Sequence, residues 1–203
     1  MKRFSLLTAA LALSLAACAG EPATDEEAIA RARSCNVPDD ASMPLTGMPD
    51  GERDAQTNAA ESEAYLDMVR GERCMFELDS GLIFRIREAA GEDAVSPQSG
   101  DMVTVHYRGL FPHGEEFDSS HSRGEPATFP SNRLIAGWVE ALPLMRVGER
   151  WELYIPADMA YGERGTPGGP IGPNQALVFE LELLDVPGRT GEEDDAPAEQ
   201  GTE

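Results

Sequence analysis

In residues 175–185 (QALVFELELLD), Leu177, Phe179, Leu181 and Leu183 fall at every second position. A period of two marks a strand with one apolar face, and such a face must be covered by another layer. The same alternation recurs upstream. Leu82, Phe84 and Ile86 alternate with Ile83, Arg85 and Arg87. Val103, Val105 and Tyr107 share one face of 102–110 (MVTVHYRGL), and Trp151, Leu153 and Ile155 oppose Glu152 and Tyr154 in 150–155 (RWELYI). Shorter extended pieces fall at 117–120 and 126–129. Between them lies one helical pattern, Leu134, Ile135, Trp138, Val139 and Leu142, which Ser131 or Asn132 can cap. Loops rich in glycine and proline fill 91–100 and 156–174. The expected domain, 80–186, is therefore α+β: an antiparallel β-sheet of about five strands wrapped around one short α-helix.

The N-terminus reads as an address. Lys2 and Arg3 precede an apolar run from Phe4 to Ala17, too short for a bilayer span of roughly 20 residues. Residues 1–17 are expected to be a signal peptide. Leu15-Ala16-Ala17-Cys18 resembles the lipobox of bacterial lipoproteins, which implies lipidation of Cys18 and, with Ala19 following, an outer-membrane address facing the periplasm. Residues 18–58, rich in Pro, Asp, Glu, Ala and Gly, are expected to be a flexible tether. In 59–79, Tyr65, Leu66 and Val69 suggest a short helical lead-in, and 187–203 is an acidic tail. With Cys18 lipidated, Cys35 and Cys74 remain, and in an oxidising compartment they are expected to bridge.

Composition removes several chemistries. The formal net charge of −21 disfavours nucleic acid, which needs clustered Lys and Arg. Lys2 is the only lysine, so a chain cleaved before Cys18 has no Schiff-base, P-loop or general-base lysine. His106, His113 and His121 show no metal-ligand spacing, and no Gly-x-Ser-x-Gly elbow is present. Neither a metal nor a cofactor is expected.

The order of short motifs is more specific. Val105-His106-Tyr107-x-Gly109-Leu110 is followed by Gly114-x-x-Phe117-Asp118-Ser119-Ser120 and Pro126-Ala127-x-Phe129. Then come Leu134-Ile135-x-Gly137-Trp138, Met145-x-Val147-Gly148-Glu149, Ile155-Pro156, Ala160-Tyr161-Gly162 and Leu177-Val178-Phe179-x-Leu181-x-Leu183-Leu184. This series resembles the FKBP-type peptidyl-prolyl cis–trans isomerases over 80–186. The resemblance implies an apolar cleft between helix and sheet. Tyr107, Asp118, Ile135 and Tyr161 would act on the substrate, and Phe117, Leu134, Trp138, Ile171 and Phe179 would bind it. Trp138 would be the floor, the Ile135 N–H and Tyr161 hydroxyl would bond substrate carbonyls, and Asp118 would accept from Tyr107. The implied substrates are X–Pro bonds in unfolded or exported polypeptides.

Two departures from the family pattern bear on the cleft wall. Ala127 stands where the best-known eukaryotic members carry an aromatic residue, and Pro170 precedes Ile171 where an aliphatic residue is frequent. They imply a wider pocket with a weaker grip on macrolide inhibitors, and leave open a proline-binding module with little turnover. With only a short helix ahead of the domain, a monomer is expected.

Overall fold

A computed structural model of the chain describes residues 24–38, 42–46 and 54–189. The signal segment, Cys18 and the tail from residue 190 lie outside the described residues. The period-two stretch forms β7 (Leu177–Asp185), which sits inside one antiparallel sheet. β6 (Arg150–Ile155) pairs with it on one side and β3 (Met102–Leu110) on the other. Beyond β6 come β2 (Ile83–Glu88) and the two-residue β1 (Phe76–Glu77). β4 (Glu116–Ser119) and β5 (Ala127–Pro130) both pair with β3. The sheet has seven strands, not about five. β1 is too short to show a period, and β5 was legible only as an extended segment.

The inner face carries the alternating residues: Phe84 and Ile86, Val103, Val105 and Tyr107, Trp151, Leu153 and Ile155, Phe179, Leu181 and Leu183. Against them lies α4 (Ala136–Ala141), continued by a 3-10 turn, Leu142–Leu144. The helix starts later than the capping residues suggested. Ser131 accepts from the Gly100 N–H and donates to the Gln98 carbonyl, so its hydroxyl is engaged by a neighbouring loop. Gly137 lets the helix approach β6, since a Cβ there would stand 2.8 Å from Ile155.

The outer face is also covered. Asp54 accepts from the Gln56 and Thr57 N–H groups and so starts α2 (Ala55–Arg70), well before the apolar pattern begins at Tyr65. Tyr65, Leu66 and Val69 of α2 pack on Ile83, Leu110, Tyr154 and Val178. Beside them Arg85 and Glu152 form a buried ion pair at 2.6 Å, and the Tyr154 hydroxyl donates to the same carboxylate at 2.7 Å. Segment 42–46 caps this region: the Ser42 carbonyl accepts from Arg85 and the Pro44 carbonyl from the Tyr65 hydroxyl.

The expected tether needs correction. Within it, α1 (Asp25–Ser34) is capped by Thr24 and buries Ala28, Ile29 and Ala32 in the main core. Ile29 is the only large apolar residue of the three, so the sequence shows almost no periodicity. Arg33 reaches from α1 to the fully buried Glu149, with Nε–Oε1 at 2.8 Å, and donates to the Leu144 carbonyl. A Cys35–Cys74 disulfide then ties the end of α1 to the approach to β1.

Candidate active site

The cleft opens on the inner face of the sheet, beside α4. Its floor is Trp138, which α4 presents to β3 and β7 and which is 4% exposed. Tyr107 from β3 and Phe179 from β7 both meet the indole edge-to-face, each at 5.2 Å between ring centroids. Phe117 from β4 stands edge-on to Phe179 at 5.6 Å, and Phe129 from β5 approaches Trp138 at 6.4 Å. Such perpendicular contacts suit the ring quadrupoles and hold the walls in fixed orientations. Gly109 makes this packing possible: a Cβ there would lie 2.7 Å from Phe117 and 2.9 Å from Phe179. The resulting cavity has a volume of about 570 Å³, within the range of small-ligand sites.

One wall is polar. The Tyr107 hydroxyl donates to Asp118 at 2.6 Å. Arg123 donates to the other Asp118 oxygen at 2.5 Å and to the Tyr107 hydroxyl at 2.8 Å, with its guanidinium over the tyrosine ring. A single helical turn, α3 (Ser120–Arg123), puts Arg123 there. Ser119 caps this turn, and the Ser120 hydroxyl pins it to β3 by accepting the Tyr107 N–H at 2.8 Å. Burial first, and then the hydrogen bond to Asp118, push the Tyr107 phenol above its ordinary pKa, so it stays protonated. The Arg123 guanidinium is pushed up in turn, chiefly by its bond to Tyr107.

Several donors on cleft residues have no acceptor among the described residues, three of them placed to meet a substrate. The three are the Ile135 backbone N–H at the start of α4, the hydroxyl of the half-exposed Tyr161, and the buried Trp138 indole N–H. Among the residues that line the cleft none is a nucleophile held against a base, and the Ser120 hydroxyl, 2.9 Å from His106 Nδ1, is fully buried outside that lining. The arrangement can hold an apolar segment and offer hydrogen bonds to its carbonyls.

Tyr107, Phe117, Asp118, Leu134, Ile135, Trp138, Tyr161 and Phe179 thus converge on one cleft. Ile171 does not join them and is corrected. It is 5% exposed within the core, and its N–H and carbonyl are both taken by Thr166, which closes the loop around Gly165. Nor do Ala127 and Pro170 line the cavity. The sequence reading missed Phe129, Arg133, Ala136, Ala160 and the supporting Arg123. Phe129 and Ala160 were visible in the motifs Pro126-Ala127-x-Phe129 and Ala160-Tyr161-Gly162; Arg123, Arg133 and Ala136 carried no periodic or spacing signal.

Comparison with known proteins matches residues 93–184 to the family of FKBP-type peptidyl-prolyl cis-trans isomerases. The FKBP-type 22 kDa peptidyl-prolyl cis-trans isomerase of Escherichia coli strain K12 is 50% identical over 131 residues, 64% of this chain and 62% of that protein. The outer membrane protein MIP of Legionella longbeachae is 42% identical over 132 residues, 65% of this chain and 55% of that protein. The chain therefore spans less than two thirds of the length of these relatives. Among solved structures, FkpA from Escherichia coli matches with a TM-score of 0.61 at 39% identity, covering 65% of this chain and 60% of FkpA. A peptidyl-prolyl cis-trans isomerase from Pseudomonas syringae matches with the same TM-score at 30% identity, covering 67% of this chain and 98% of that one. With 98% of that relative covered at 30% identity, this chain belongs to the FKBP-type peptidyl-prolyl cis-trans isomerase family.

Proposed function

We propose that this protein catalyses cis–trans isomerisation of X–Pro bonds in exported or unfolded polypeptides. The observation that carries the reading is the aromatic cleft around Trp138 with its unfilled donors. Rotation about an amide faces a barrier of about 18–20 kcal/mol because the C–N bond has double-bond character. At X–Pro it takes tens to hundreds of seconds unaided. No bond breaks, so no nucleophile or cofactor is required. The planar amide owes its stiffness to a charge-separated resonance form, which a dry apolar pocket stabilises less than water does. The twisted amide turns its carbonyl toward fixed donors, and the Ile135 N–H and Tyr161 hydroxyl are the donors assigned to it. Each 1.36 kcal/mol removed from the barrier gives tenfold in rate. Tyr107, Asp118 and Arg123 hold the polar wall in place, and Phe117, Leu134, Trp138 and Phe179 enclose the proline ring.

A second reading, capture of proline segments with little turnover, rests on Ala127, Pro170 and Ile171 lying outside the cavity lining. A peptide isomerisation assay beside a peptide-binding measurement separates the two. Rate acceleration that Asp118→Ala diminishes supports the enzyme; binding without acceleration supports the capture module.

The setting proposed is the bacterial cell envelope, on the periplasmic face of the outer membrane. Its support is the Leu15-Ala16-Ala17-Cys18 sequence, the Cys35–Cys74 disulfide and the relative named as an outer membrane protein. A lipid on Cys18 would hold the protein there; no helix among the described residues is long and apolar enough to cross a membrane. Mass spectrometry of the mature N-terminus tests the anchor. A monomer is proposed because Ala28, Ile29 and Ala32 of α1 and Tyr65, Leu66 and Val69 of α2 pack onto their own domain. Sedimentation of the soluble part tests that.

A further inference from the structure

Arg133 lines the cleft, yet the family motifs assign it no role. It is exposed, and its guanidinium meets no carboxylate among the described residues. The backbone beneath it is firmly held. Its own N–H closes a turn onto the Pro130 carbonyl, the Ser131 N–H bonds the Asp101 carbonyl, and the buried Ser131 hydroxyl bridges Gln98 and Gly100. Two residues further on is the unfilled Ile135 N–H. The side chain therefore projects from a fixed base beside the point where substrate backbone would be held.

The charge around it is unusual for this molecule. The protein has a formal net charge of −21. Among the described residues, the only carboxylate lining the cleft is Asp118, already engaged by Arg123 and Tyr107. Arg133 is thus a cation without a counter-charge at the mouth of the cleft. Charges on the distant surface are screened beyond about 10 Å at 0.1 M salt, so the local cation governs what a bound segment experiences. A guanidinium offers a planar pair of donors suited to a carboxylate.

We propose that Arg133 forms a carboxylate subsite, selecting X–Pro segments that carry Asp or Glu within two residues of the proline. The proposal rests on the isomerase reading above for the seating of the substrate backbone. An exposed ion pair is a modest effect, so the expected preference is about threefold at low salt, fading as salt rises.

The test uses matched peptides with Glu or Gln at each position within two residues of the X–Pro bond. Isomerisation kcat/KM and peptide Kd are both measured, for the wild type, Arg133→Gln and Arg133→Glu. Support is a Glu-over-Gln preference at one or more positions that vanishes in Arg133→Gln and reverses in Arg133→Glu. Equal treatment of all pairs by the wild type, or a preference that persists in Arg133→Gln, overturns the subsite. The Kd values report selectivity even where no rate gain is seen, so loss of the isomerase reading and loss of the carboxylate subsite give different results.

Discussion

Asp118 joins the polar wall of the cleft through two bonds, one from Tyr107 and one from Arg123. Both its side chain and that of Arg123 are nearly half exposed, so water screens the pair and its contribution to stability is small. Asp118→Ala should accordingly leave the melting temperature nearly unchanged while lowering kcat/KM by about tenfold. An equal loss of stability and activity would show that Asp118 holds the fold rather than the cleft. Gly109 makes the opposite case. An alanine methyl must displace Phe117 or Phe179, at a cost of about 1–3 kcal/mol. Gly109→Ala should both lower the urea midpoint and weaken peptide binding; a variant with wild-type affinity would mean that the walls adjust freely. The motif series made these positions legible in the sequence, because rings and glycine recur at fixed offsets. Arg123 was not legible. It reaches the site through a four-residue helical turn capped by Ser119, which is too short to leave any pattern.

At the level of elements, β7, β6, β3 and β2 were readable because one face of each meets a single continuous core. Outside the family domain, α2 was readable only in its second half, where Tyr65, Leu66 and Val69 recur, because it starts at a polar cap well before them; α1, which buries two alanines and one isoleucine, was not readable. The hold on α1 is largely polar: Arg33 on Glu149, whose carboxylate also accepts from the Trp151 indole and the Arg146 N–H. Removing one partner of a buried charge is expensive, and the remaining donors to Glu149 soften the effect. Arg33→Ala should cost about 2 kcal/mol, read from denaturant unfolding. The disulfide restrains the same helix at the same C-terminal end, through its cap residue Cys35. Cys35→Ser with Cys74→Ser should lower stability by about 2–4 kcal/mol, with α1 amides losing hydrogen-exchange protection before those of β7. Uniform protection loss across α1 and β7 would show that α1 belongs to the same cooperative unit as the sheet.

Across the whole molecule, both faces of the sheet are covered, and tyrosines lie in each layer. Tyr65 on α2 packs against the outer face beside Tyr154 of β6, and Tyr107 stands in the cleft. Burial is the leading cause that raises all three phenols above their ordinary pKa. Folding therefore favours their protonated form. Stability from this source is fully present below about pH 10, the unfolded value, and falls as pH rises beyond it. Urea midpoints at pH 8 and pH 11 should show the loss, and equal midpoints would contradict it.

The proposed catalysis uses no reactive group: an apolar, aromatic cleft would lower the barrier to prolyl rotation by surrounding the amide. Exchange between the cis and trans forms of a Leu–Pro peptide, followed by NMR at equilibrium, measures that directly. A trace of the protein should accelerate exchange in proportion to its concentration without moving the cis–trans ratio, and should do so far less with Asp118→Ala. An exchange rate that stays at its unaided value while the peptide is demonstrably bound would contradict the account.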